Sequence, residues 1–98
     1  MSKVLLTIQF QIKEGEAQSV ESIFSRLKDH FETENEIDYN VFEVKGKPNS
    51  FIEIYSFENL DEYNKFNESD DQVYEGLGMA LSNFIEGSQK SSLLIQKI

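Results

Sequence analysis

The chain has one histidine, no cysteine and no tryptophan among its 98 residues, against 18 Asp and Glu. The groups able to do chemistry are therefore few. His30 is the single side chain whose charge ordinarily changes close to neutral pH, and it borders the apolar stripe Val20, Phe24, Leu27 and Phe31. A general base and a half-exposed, hydrogen-bonded helix residue are the two roles open to it. Glu53 stands inside the apolar run FIEIYSF. Buried there, it needs a hydrogen-bonding partner or its pKa must rise. A bond across an interface to Gln9, Gln11 or a lysine is one role, and acid–base work is the other. Tyr63, Phe66 and Tyr74 fall at helical spacing. That suits either core packing or the wall of an apolar pocket whose phenol hydroxyls orient a small aromatic ligand. Asn64 can add a polar group to such a pocket.

Much chemistry is excluded by composition. Without cysteine there are no disulfides, thiolate nucleophiles or zinc–thiolate sites, and one histidine leaves no ligand set for a transition metal. No metal site and no cofactor are expected. The acidic knots at 32–38 and 68–71 lack the D-x-D-x-D-G order of a calcium loop and read as solvated. No dinucleotide fingerprint, P-loop, nucleophile elbow or H-E-x-x-H motif occurs. With Lys+Arg 9 and a formal net charge of −9, the chain repels nucleic-acid phosphates and anionic lipid, so neither is an expected partner. No window approaches the roughly 18 apolar residues of a membrane span. The opening MSKVLLTIQF lacks the continuous apolar stretch of a secretory signal, and a cytoplasmic protein is expected.

The elements that must position these residues follow from periodicity. Val4, Leu6, Ile8, Phe10 and Ile12 alternate with Leu5, Thr7, Gln9 and Gln11, the period of a strand. From Glu16 to Glu34 the spacing becomes helical. Tyr39–Lys45 and Ser50–Phe57 read as a hairpin about Gly46-Lys47-Pro48-Asn49. Asn59 with Glu62 is a capping-box-like start, and Ser69 with Gln72 a second one, leading to a helix that ends near Gly87. The spacing predicts strands near 3–13, 39–46, 50–57 and 91–98, and helices near 16–33 and 59–86 with a break around 67–70. Residues 1–98 then form a single α+β domain of ferredoxin-like β-α-β-β-α-β order, a four-stranded antiparallel sheet with helices on one face. On the bare face the alternation places Thr7, Gln9, Gln11, Glu53 and Tyr55, a mixed surface suited to pairing with a second copy. On the helix side Tyr63, Phe66 and Tyr74 are expected to wall a cleft against Leu6, Ile8 and Phe10. Gly76 and Gly78 would remove side chains from its opposite wall.

Two stretches, VLLTIQFQIKEGE and EIYSFENLDEYNKFNESD, carry a resemblance that extends over nearly the whole chain. In the second, a strand Glu is followed two residues on by an aromatic, then a polar corner and a short apolar-rich helix. The chain resembles the antibiotic biosynthesis monooxygenase-like domains of the dimeric α+β barrel superfamily. The resemblance implies a homodimer with its two sheets facing and a pocket between sheet and helices in each protomer. It also implies oxidation of a small phenol or quinol by molecular oxygen without metal or flavin. The heme-degrading branch places an axial His, a strand Asn and a Trp at positions falling near Gly76, Ile8 and Phe66 (or Asn64), so heme degradation is disfavoured. Two readings stand: a cofactor-independent monooxygenase-like oxidoreductase whose catalytic residues the sequence does not identify, and a non-catalytic small-molecule-binding or interaction domain on the same dimeric fold.

Overall fold

Nine alternating residues build the strand on which the sheet is centred. The computed structural model describes residues 2–98. In it β1 spans Val4–Ile12, α1 Ala17–Asp29, β2 Asp38–Glu43, β3 Ser50–Phe57, α2 Leu60–Glu68, α3 Gln72–Ser82 and β4 Ile85–Ile95. All neighbouring strands pair antiparallel in the order β2-β3-β1-β4. With the helices on one face this is the expected α+β, ferredoxin-like arrangement. Val20, Ile23 and Leu27 of α1 are buried against Val4, Phe10 and Ile12 of β1, so the helical and strand stripes read from the sequence meet as the core. Among the described residues no helix is long and apolar enough to cross a membrane.

Three local features depart from the periodicity. The helical pattern predicted to residue 33 becomes regular α-helix only to Asp29, followed by a π-helical turn, His30–Glu34. Wide turns of this kind frequently sit at functional sites. The final strand begins at Ile85 rather than near 91, and α3 stops at Ser82. Gly87, read as a helix stop, lies inside β4 at φ 77°. There Gln9 pairs with Lys90 and Gln11 with Glu86, so the strand bulges opposite Phe10. A bulge and a helix C-cap both favour glycine at positive φ, and composition alone does not separate them. The second helix start is capped by Asp71, whose carboxylate accepts from the Tyr74 amide at 3.0 Å, not by Ser69.

The largest correction concerns β3. Directly opposed residues of an antiparallel pair share a face. Glu53 opposes Ile8 and Val41, and Tyr55 opposes Leu6 and Tyr39. Both therefore point to the helix side, where Glu53 is 4% exposed and Tyr55 1%, and neither lies on the bare face. That face instead carries Ile52 and Ile54 beside Gln9 and Thr7. FIEIYSF is apolar on both alternations, so its phase is set by pairing and not by its own pattern.

Candidate functional site

The helix-covered side of β2 and β3 brings three tyrosines and one carboxylate together. Tyr39 and Tyr55 stand opposite one another, their rings 5.0 Å apart. The π-helical turn drives Phe31 onto both, at 5.5 and 5.3 Å. From α2, Phe66 closes on Phe31 at 5.8 Å and Tyr55 at 5.6 Å. From α3, Tyr74 packs on Phe31 at 5.2 Å and Phe66 at 5.4 Å. Rings at these separations and tilts attract edge to face as well as by buried area.

Glu53 sits within this cluster. The Tyr39 hydroxyl donates to its Oε2 at 2.5 Å and the Tyr55 hydroxyl at 3.4 Å. The Tyr55 and Tyr74 hydroxyls are 3.4 Å apart. No cation pairs with Glu53 among the described residues. Burial pushes its carboxyl up to about 7, against the opposing pull of the Tyr39 and Tyr55 hydrogen bonds. Burial, with the charge of Glu53 beside them, raises both phenols, which therefore remain protonated donors. Tyr74 is raised as well, chiefly by burial.

A second titratable group lies just beyond Tyr74. His30 Nε2 is 2.7 Å from Asp71 Oδ2, and Nδ1 is 2.9 Å from Glu34 Oε2. Burial acts to lower its pKa, but the hydrogen bonds and charges of Asp71 and Glu34 outweigh it and the net shift is upward. Burial likewise works to raise Asp71, and the bonds from His30 and the Tyr74 and Val73 amides bring it below the usual carboxylate range. Both ring nitrogens of His30 are thus engaged. The group ties the end of α1 to the start of α3.

Beside the aromatic cluster an open cavity of about 600 Å³ separates the end of β3 from α2. Its apolar floor is Ile37, Phe57 and Phe66, and Lys3, Lys65 and Glu62 are among its polar lining. Phe66 belongs to both: one face lines the cavity and its ring packs on Tyr55 and Tyr74.

Of the residues singled out in the sequence, the fold gathers Phe66, Tyr74, Tyr55 and Glu53, with His30 next to them. Tyr63 meets Phe57 edge to face at 5.5 Å, at the margin. Phe10 packs instead with Phe24 and Phe51, at 6.2 and 6.4 Å, and Ile8 is half-buried beside Glu53 in register. The rings of Phe66 and Tyr74 therefore fill the seam between helix and sheet, and do not stand off Leu6, Ile8 and Phe10. Asn64 is exposed. A Cβ at Gly76 or Gly78 would meet nothing within 4 Å, so close packing does not explain these glycines. Phe31, Tyr39 and Asp71 belong to the site although nothing marked them in the sequence. Phe31 and Tyr39 read as ordinary core positions. Asp71, three residues before Tyr74, was open to recognition as a cap.

Neither a family model nor a curated protein sequence matches the chain. Solved structures do. A conserved protein from Methanosarcina mazei Go1 superposes with a TM-score of 0.85 at 15% identity, over 99% of this chain and 95% of the other. SnoaB, a cofactor-independent oxygenase from Streptomyces nogalater, superposes with 0.79 at 16%, over 100% and 96%. An antibiotic biosynthesis monooxygenase superposes with 0.75 at 12%, over 97% of each chain. The fold is the one these oxygenases share.

Proposed function

We propose that the protein is a cofactor-independent oxygenase that oxidises a small phenol or quinol, and that it works as a homodimer. The observation that carries this reading is the continuity of cavity and aromatic cluster through Phe66. A ligand entering over Ile37 and Phe57 meets that ring, which in turn packs on Tyr55 at 5.6 Å and Tyr74 at 5.4 Å. An apolar floor of Ile37, Phe57 and Phe66 set among polar and charged side chains offers one flat surface and many hydrogen-bonding groups to an aromatic that carries hydroxyls. The fold shared with SnoaB supports the same chemistry. An electron-rich aromatic needs no metal to meet oxygen, because its ionised form supplies the electron. Loss of a ring-activated C–H proton, combination with O2 to a peroxide and elimination of water together turn a methylene into a carbonyl. One oxygen atom stays in the product and one leaves as water.

A second reading is a binding domain without catalysis, favoured by the dense packing of Phe31, Phe66 and Tyr74 above Glu53. Oxygen uptake and thermal shift, measured side by side over a panel of hydroquinones and anthrones, separate the two. The oxygenase reading expects uptake matched mole for mole by quinone absorbance, together with a raised Tm. A raised Tm without uptake leaves the binding domain. With neither response, both readings fall.

A further inference from the structure

We propose, on the basis of the oxygenase reading above, that Glu53 is the base that accepts the substrate's proton, through its Oε1 oxygen. The assignment begins with placement. Glu53 lies mid-strand, in register with Ile8 and Val41 and buried among aromatic rings. A carboxylate there, with no cation beside it, costs more than an apolar residue of the same size. Its two oxygens are treated differently. Among the described residues Oε2 accepts both phenol hydrogen bonds, while Oε1 accepts none. Yet among the described residues no fully buried side-chain oxygen lacks a partner. Oε1 therefore keeps a sliver of accessible surface. One oxygen is anchored and the other is free.

That asymmetry suits proton transfer. The substrate's C–H or O–H bond breaks, its electron pair stays on the ring, and the proton bonds to Oε1. The Tyr39 hydrogen bond on Oε2 keeps the carboxyl in place throughout. With a methylene substrate, oxygen bonds to the carbanion, the neutral acid returns its proton to the peroxide, and the second C–H hydrogen leaves with the distal oxygen as water. With a hydroquinone, oxygen takes two electrons and two protons, one of them returned by the acid, and leaves as hydrogen peroxide beside the quinone. The titratable groups facing the carboxyl are the phenols of Tyr39, Tyr55 and Tyr74. All three stay protonated, so none competes as a base. Burial also brings the carboxyl up to about 7, where a base is strong enough to act and still ionised near neutrality. His30 is less suited, because both its ring nitrogens already face carboxylates.

The test compares the full chain with Glu53→Gln, which keeps shape and an acceptor for Tyr39. With a hydroquinone as probe, the wild type should gain activity as pH rises through about 7. E53Q should lose about 100-fold or more while the hydroquinone still raises its Tm. Equal activity with the same pH limb in E53Q overturns the proposal. If the wild type consumes no oxygen, the oxygenase reading fails, and a visible titration of bound nitrophenol decides Glu53 separately. An ionised carboxylate beside the phenol raises its apparent pKa in the wild type, and E53Q abolishes that shift. Identical titrations, or no binding of nitrophenol by the wild type, overturn the proposal too. Should E53Q not fold, Tyr39→Phe serves instead. Removing a bond that favours ionised Glu53 should move the pH limb upward, and an unmoved limb overturns the assignment.

Discussion

At Glu53 two requirements oppose each other. A base must be ionised to work, and the aromatic surroundings that strengthen it also penalise its charge. Tyr39 and Tyr55 offset part of that penalty by donating to Oε2, but burial dominates and the carboxyl rises to about 7. The group's pKa is higher in the folded chain than in the unfolded one, so folding favours its protonated form. Stability from this source is fully present below pH 4.5, the ordinary value, and is lost as pH climbs through about 7. The gap corresponds to roughly 3 kcal/mol at most. Glu53→Gln, which carries no charge, should melt higher than the wild type at pH 8, by several degrees. By pH 4.5 the advantage should be gone. Melting curves at the two pH values check this, and an E53Q that is equally destabilised at both would show that the carboxyl's ionisation costs the fold nothing.

Among the elements, α2 is the one most lightly held. None of its residues is buried. It is fixed at one end by Asn59, whose side chain accepts from the Glu62 amide at 3.0 Å, and at the other by the packing of Phe66. A cap contributes about 1 kcal/mol, a modest hold for a helix with no buried residue. The π-helical turn and α3 are held differently, by the pair of His30 and Asp71. The pKa of His30 is raised in the fold, so its contribution is whole below 6.5 and is lost as pH rises through the raised value. His30→Gln should therefore cost on the order of 1 kcal/mol at pH 5.5 and markedly less at pH 8.5. Thermal unfolding of the two proteins at both pH values measures it. A loss independent of pH would mean that the ring acts by packing alone, against Phe31 at 5.4 Å.

For the whole molecule, the sheet face away from the helices is the surface in need of a partner. Ile52 and Ile54 are half-buried, Phe42 is 56% exposed and Leu94 48%. They surround Thr7, Gln9 and Gln11 on the same face, a mix of apolar and uncharged polar groups. A second copy offers the same patch, and isologous pairing satisfies both at once. Sedimentation at micromolar concentration should give a dimer. Gln9→Lys or Ile54→Lys should shift it toward monomer, because like charges would meet near the two-fold axis. A wild-type monomer, or a dimer indifferent to both changes, would direct attention to the other exposed apolar groups on β4.

The sequence of elements along the chain and the approximate break between α2 and α3 were legible in the sequence because each rests on local periodicity. Val4–Ile12 alternates strongly enough to set its own faces, and Asn59 announces the helix that follows. What the chain could not settle locally was anything dependent on two segments meeting. Both alternations of FIEIYSF are apolar, so only its register with β1 and β2 turned Glu53 and Tyr55 inward, away from the face first assigned to them. Gly87 demanded a positive φ in either a helix cap or a bulge, and only pairing with β1 chose the bulge. The enclosure of one carboxylate by Tyr39, Tyr55 and Phe31 joins residues from β2, β3 and the end of α1. No spacing along the chain encodes that meeting, because it is made by strands that pair across the sheet and a helix that packs on them.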